Sequence, residues 1–248
     1  MKKVQVEEVR SLHSRRNFLK ISGITLAGAG LVMAGCSSDD DKGSNPDSNQ
    51  LPGVRDGVFD LGGGDLGVLT YAYALEQLEA DFYTRVVNSN TFGSTFSAEE
   101  QAVLADLYRH EVIHREFFKA AISGVITSQD QLLPSLEFDY GSLSFSSRSQ
   151  VLATAKTLED TGVAAYNGAG RYITTPDYLV LAGKIVSIEA RHASAIRSLI
   201  NPGSADFAGD DVVTSSNGLG QAVKPSGIIS AVSALDIIQT PFTAQFLP

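Results

Sequence analysis

Six residues of this chain combine metal-binding types with a spacing that repeats. Glu111-Val112-Ile113-His114 and Glu189-Ala190-Arg191-His192 are two Glu-x-x-His units. Ahead of each lies a Glu followed seven residues later by a Tyr: Glu76 with Tyr83, and Glu159 with Tyr166. The chain therefore runs through one pattern twice. On a helix, residues three or seven apart share a face, so each unit presents its side chains in one direction. Folded together, the two halves would be related by a pseudo-twofold axis. Carboxylate and imidazole are donors suited to iron or manganese. One imidazole and one carboxylate per ion, with further Glu residues to bridge, balance the charge of two divalent ions.

The setting of these residues matters as much as their type. Leu69, Ala72 and Ala80 flank Glu76, while Leu104, Leu107 and Phe118 flank Glu111. Leu152, Ala155 and Val163 surround Glu159, and Ala182, Ile185, Ala193 and Ile196 surround Glu189. A carboxylate on an apolar face is costly unless it is paired or bound to a cation. Four converging carboxylates would repel one another, and cations are the simplest remedy. A lone Glu-x-x-His is a weak signal, and a lone Glu on a helix is ordinarily a solvated residue. Here, however, three His remain after the N-terminal segment, and two of them occupy the motifs. An empty bundle that has lost its metal is the bland alternative. Glu79, one turn from Glu76, is an extra ligand, a replacement for Glu76 or a supporting group. Glu76 is favoured because its Tyr spacing is the one repeated around Glu159. Tyr83 and Tyr166 either orient ligands and stand near oxidising chemistry, or are amphipathic core residues.

His110-Glu111-Val112-Ile113-His114 also matches the His-Glu-x-x-His of zinc metalloproteases, in which two His bind zinc and the Glu is a general base. The internal repeat argues against it. The counterpart of His110 in the second half is Ile188, so the repeated unit is Glu-x-x-His and His110 is extra. On a helix His110 points about 100° away from Glu111. No substrate-binding strand is evident.

Four long segments with helical period must position these groups. The first runs from about Asp65 to Val87, after Gly62-Gly63-Gly64. The second opens at Ser97, with Glu100 completing a capping box, and runs to about Ile122. The third spans about Ser147 to Tyr172. The fourth starts with Thr175 as cap and Pro176 in its first turn, and ends at Ile200 before Asn201-Pro202-Gly203. The first and third links are short, and the middle one, from about Ser123 to Ser146, has roughly 23 residues, which reach about 75 Å when extended. A helix of 25 residues is about 38 Å long, so this link can cross the bundle end to end. Short links make antiparallel neighbours, and one long crossover makes the second and third helices parallel, which is the ferritin-like connectivity. Leu133, Leu136, Phe138, Tyr140, Leu143 and Phe145 should hold the crossover against the bundle. Residues 201–227 read as irregular, and a short apolar helix from about Ile228 to Ile238 should pack outside. The fold class is thus all-α, a four-helix bundle over residues 65–200 with a C-terminal extension over 201–248.

The flanking sequence speaks to location. Residues 14–20, Ser-Arg-Arg-Asn-Phe-Leu-Lys, carry a twin-arginine pattern at Arg15 and Arg16, and a short apolar run ends in Leu31-Val32-Met33-Ala34-Gly35-Cys36, which resembles a lipobox. Met33 stands where Leu is usual. A plain cleaved signal is the alternative, yet the single cysteine of the chain occupies the position that a lipobox needs. Residues 1–35 read as a signal peptide, 36–56 as a polar tether, and 57–248 as the folded domain. The implied partners are the twin-arginine translocase, lipoprotein-processing enzymes and, through Cys36, a membrane. The destination is the cell envelope, periplasmic or surface-exposed. Export in the folded state suits a protein that must choose its metal in the cytoplasm. The chain has net charge −9, and residues 1–35 hold six Lys/Arg against two Glu, leaving −13 for the rest. So acidic a domain is unsuited to nucleic acid. One cysteine excludes an intramolecular disulfide. The oligomeric state is open, a dimer included.

The stretches 73–83 (Tyr-Ala-Leu-Glu-Gln-Leu-Glu-Ala-Asp-Phe-Tyr), 110–114, 158–166 (Leu-Glu-Asp-Thr-Gly-Val-Ala-Ala-Tyr) and 188–192 (Ile-Glu-Ala-Arg-His) together resemble the bacterial ferritin-like domain family that also includes plant desiccation-related proteins. The resemblance covers about residues 65–200 and implies a four-helix di-metal fold, with little said about activity. The expected ligands are Glu76, Glu111, His114, Glu159, Glu189 and His192, the expected cofactor two divalent ions of iron or manganese. A ferroxidase or peroxide scavenger is the leading expectation, and a non-catalytic metal-binding or stress-protection protein of the envelope is its rival.

Overall fold

The computed structural model describes residues 49–248. Arg15, Arg16 and Cys36, and with them the signal and lipidation expectations, lie outside the described residues. Four long helices form the body: α1 (Gly64–Val87), α2 (Ala98–Ser123), α3 (Arg148–Ala169) and α4 (Pro176–Ile200). α1 packs chiefly on α2 and α3 chiefly on α4, the two pairs being joined by the crossover. This is the all-α bundle with one long connection that the link lengths predict. No helix among the described residues is long and apolar enough to cross a membrane.

The helix ends follow local chemistry. Ser97 accepts from the Glu100 amide, and the Glu100 side chain accepts from the Ser97 amide, so the capping box forms. Such a cap stabilises a helix start by about 1 kcal/mol. Thr175 differs from expectation: it occupies the cap position of α4, but its side chain makes no cap bond. Its amide and that of Thr174 instead donate to the Asp65 carboxylate from the start of α1. α3 is three residues shorter than expected, because Gly170–Tyr172 tightens into a 3-10 turn.

The crossover lies on the bundle. Leu133, Leu136 and Tyr140 are buried in its core, and Gln77 of α1 pins it by donating to the Pro134 carbonyl and accepting from the Leu136 amide. Burying a Leu or Phe side chain contributes about 1.5–3 kcal/mol, and Leu61, Phe82, Leu104, Leu133 and Ile196 are all at most 1% exposed.

Three short strands were not legible in the sequence. β1 (Gly53–Arg55) pairs antiparallel with β2 (Val58–Asp60), and β2 pairs parallel with β3 (Phe242–Thr243). β1 belongs to the stretch read as tether, so the ordered fold begins before residue 57. Strands of two or three residues carry no readable alternation, and tertiary contacts hold them. Buried Asp60 is the tie: it accepts from the Gly62 amide, the Thr243 hydroxyl and the Gln245 amide. Gly62 has φ +76°, and a Cβ there would sit 2.6 Å from the Pro52 nitrogen, so only glycine fits.

The C-terminal extension wraps α3 and α4. Its helix, α5 (Pro225–Ala234), starts and stops about three residues earlier than the apolar run suggests. Pro225 sets its start, being tolerated in the first helical turn. Buried Arg197 of α4 anchors the extension through Asp160 of α3, Asp206 and Asp211.

Candidate metal centre

Each long helix delivers its acidic residues to the middle of the bundle. α1 is buried over most of its length, and Glu76, Glu111, Glu159 and Glu189 are all fully buried. The apolar stripes on either side of each Glu therefore form the core, and each carboxylate sits where the helix face carries it. The side chains meet in two groups. Glu76, Glu111, His114 and Glu189 offer ligand atoms within 4.8 Å of one another, and so do Glu111, Glu159, Glu189 and His192. Glu111 and Glu189 belong to both groups. Each group also holds one carboxylate and one imidazole of its own.

The atoms face one another without satisfying one another. His114 Nδ1 lies 2.8 Å from Glu189 Oε1, and 3.5 Å from both Glu76 Oε2 and Glu111 Oε2. His192 Nδ1 lies 2.7 Å from Glu111 Oε1, and 3.5 Å from both Glu159 Oε2 and Glu189 Oε2. Close as they are, these contacts lack hydrogen-bond geometry. Nine buried side-chain nitrogen and oxygen atoms among the described residues have no hydrogen-bond partner, and eight of them are the inward atoms of these six residues. An unpaired buried carboxylate costs several kcal/mol. A cation in each group would satisfy all eight atoms at once, and four carboxylates would neutralise two divalent ions. The donor set thus fits the ions that the sequence implies.

The outer atoms are held by the neighbouring half. Tyr83 of α1 donates its hydroxyl to Glu159 Oε1 of α3 at 2.6 Å. Tyr166 of α3 donates to Glu76 Oε1 of α1. The Tyr of each helix therefore orients the Glu of the other, a reciprocal exchange that spacing along one helix did not reveal. Each bond leaves the second carboxylate oxygen free for the centre.

His110 adds a contact on one side only. Its Nδ1 lies 2.9 Å from His192 Nε2, and the two rings lie nearly coplanar, edge to edge, with their planes 12° apart. With a cation on the inward Nδ1 of His192, Nε2 would carry the proton and donate it to His110. His110 belongs to neither ligand group, and Glu111 belongs to both. The two-His zinc arrangement of the protease reading is therefore not formed. The repeat correctly marked His110 as extra, but its contact with His192 was missed. A histidine one position before a ligand-bearing face was the available signal.

Glu79 also lies outside both groups, whereas Glu76 is among the converging side chains. It is buried against Gly162, where a Cβ would come 2.9 Å from Glu79 Oε1. Gly162 occupies in α3 the position that Glu79 occupies in α1, so the second half gives up its side chain to house that of the first.

Electrostatics without a cation show the strain. Burial, and then the charge of Glu189, push Glu76 well above the usual carboxylate range. Burial and the charges of Glu189, Glu111, Glu159 and Glu76 do the same to Glu79. Glu159 is pushed up to about 8, mainly by burial. Burial opposes charge on Glu111 too, but the neighbouring imidazoles of His114 and His192 outweigh it and hold Glu111 at about 2. For the imidazoles, burial favours the neutral form, and the carboxylates around them reverse that, raising His114 and His192 to about 12. In the metal-free chain, protons on these groups therefore offset the converging negative charge. Burial keeps Tyr83 and Tyr166 neutral, as donors.

Comparison with known proteins agrees with this geometry. No curated protein matches the chain. The model of the ferritin-like domain family matches residues 64–202, which span all four long helices and more than half of the sequence, and the chain belongs to that family.

Proposed function

We propose that this protein binds two divalent ions, iron in preference to manganese, and uses them to oxidise Fe(II) with dioxygen or peroxide. The observation that carries the reading is the set of eight inward-facing, unpartnered donor atoms arranged in two groups that share Glu111 and Glu189. Glu76 and His114 would hold one ion, Glu159 and His192 the other, with Glu111 and Glu189 between them. Two bound iron ions would supply one electron each, enough to reduce dioxygen to peroxide or, with two protons, peroxide to two waters. The chain's own residues do the rest. Tyr83 and Tyr166 fix the outer carboxylates in position. Carboxylates tolerate the change of valence because they can redistribute their two oxygens around the centre. The apolar layers above and below the site exclude water.

We infer further that the protein is exported through the twin-arginine pattern at Arg15 and Arg16 and tethered to a membrane in the cell envelope through Cys36. Fold-level likeness does not set activity, so the test is direct. Purified full-length protein, loaded with Fe(II) or Mn(II) without oxygen, should carry two ions per chain. Air or peroxide should then oxidise the iron faster than in protein-free buffer. Absence of bound metal would remove the site. Two ions without oxidation would leave a metal-binding envelope protein and remove the oxidoreductase.

A further inference from the structure

We propose that a small apolar cavity beside the Glu76–His114 group is the holding site for dioxygen, and that dioxygen and not peroxide is therefore the oxidant admitted there. This rests on the oxidative reading above. The cavity has a volume of about 40 Å³, and its wall includes Ala72, Phe118, Ala165, Tyr166, Ala182 and Tyr71. Ala72 lies one turn before Glu76 on α1, and Phe118 one turn after His114 on α2. Tyr166 is the residue that donates to Glu76. The cavity and the site thus share a wall.

The internal repeat explains why a space exists at this end. A shift of 83 residues carries Glu76 and Tyr83 onto Glu159 and Tyr166, and a shift of 78 carries Glu111 and His114 onto Glu189 and His192. The same shifts pair Ala165 with Phe82, Ala169 with Val86, Ala182 with Leu104 and Ala121 with Leu199. Around the Glu159–His192 end Phe82, Val86 and Leu104 are fully buried and fill the core. Around the Glu76–His114 end alanines stand in the places of these three and of Leu199, and all four alanines line the cavity.

Size and chemistry choose the occupant. One water needs roughly 10–15 Å³ on this measure and two to four polar partners. The wall supplies one buried polar atom without a partner, the Tyr71 hydroxyl, on a residue 2% exposed. Water and peroxide would each leave hydrogen bonds unmade there. An acyl chain or aromatic ring exceeds the volume, since dry cavities that take benzene are several times larger, about 150 Å³. A diatomic apolar gas fits, with Tyr71 placed to donate one hydrogen bond.

Xenon is the probe. Crystals of the purified full-length protein under xenon pressure should show an atom between Tyr71, Ala165 and Ala182. Ala182→Leu, which installs the residue found at the paired position, should abolish it while leaving metal content at the wild-type level. The half-saturating dioxygen concentration for Fe(II) oxidation should rise severalfold, and the response to peroxide should not change. Ala121→Leu is the second variant should the first fail to fold. Oxidation intact with no xenon in the wild-type cavity would overturn the pocket alone. Xenon bound but no dioxygen-dependent oxidation would overturn the dioxygen assignment together with the oxidative reading. An unchanged dioxygen dependence in a folded filling variant would overturn the proposal as well.

Discussion

The two halves of the bundle, α1–α2 and α3–α4, supply the same inward-facing donors and differ in what surrounds them. Each gives one Glu of its own, one shared Glu, one His and one Tyr. The first half adds His110 and Glu79, where the second has Ile188 and Gly162. The second half has alanines where the first has Phe82, Val86 and Leu104. Inward-facing positions thus follow one pattern, with four carboxylates converging at a common centre. Positions one turn away obey packing alone and are free to diverge. The centre is symmetric in its donors and asymmetric in its surroundings.

The sharpest way to break this comparison is to remove shared and unshared carboxylates separately. Glu111→Ala or Glu189→Ala strips a donor from both groups and should abolish binding of both ions. Glu76→Ala and Glu159→Ala should each leave one ion per chain. Elemental analysis after anaerobic loading checks this, and equal losses in all four variants would contradict two groups with two common members.

The next largest effect is on pH dependence without metal. His114 and His192, held at about 12, retain protons that the unfolded chain sheds near 6.5. Their contribution to stability is full below about 6.5 and is lost as pH rises toward 12. Glu159, raised from 4.5 to about 8, adds a loss across that interval. Glu111, lowered from 4.5 to about 2, acts in the opposite sense and contributes above 4.5, losing it as pH falls toward 2. The metal-free protein should therefore be most stable under mildly acidic conditions, with a Tm that falls between pH 6 and 9 in chelator. Ions displace these protons, so loading should release protons and tighten as pH rises. A pH-stat titration measures the release, and a Tm that climbs with pH in chelator would count against buried proton-bearing imidazoles.

His110→Ala sharpens the asymmetry. It removes the acceptor behind His192 and nothing behind His114, so one ion should weaken by about 10- to 100-fold and the other should hold. Two resolved steps in a metal titration would show it. The smallest effect tests the symmetry itself. Tyr83→Phe and Tyr166→Phe each delete one buried hydrogen bond, worth about 1 kcal/mol, and should lower Tm of the loaded protein by similar amounts. Clearly unequal losses would mean that the two exchanged bonds are not equivalent.

Much of this was legible before folding. The apolar stripes around Glu76, Glu111, Glu159 and Glu189 announced four inward carboxylates, because period and burial are local properties of a helix. The short and long links announced the connectivity. The strands β1, β2 and β3 were not legible, since two or three residues carry no pattern and β2 meets β3 only across a long stretch of chain, Thr243 donating to Asp60 from 183 residues away. The missing cap bond of Thr175 had the same cause, because the partner of its amide, Asp65, lies on another helix.

By itself, then, the sequence determined which residues would face inward and that they would come as a repeated pair, because helical spacing fixes direction. Only the tertiary structure decided how the pairs were shared. It made Glu111 and Glu189 common to both groups, crossed Tyr83 to Glu159 and Tyr166 to Glu76, brought the ring edge of His110 to that of His192 and set Glu79 against Gly162. Those choices depend on distances between helices, and no spacing along a single helix encodes them.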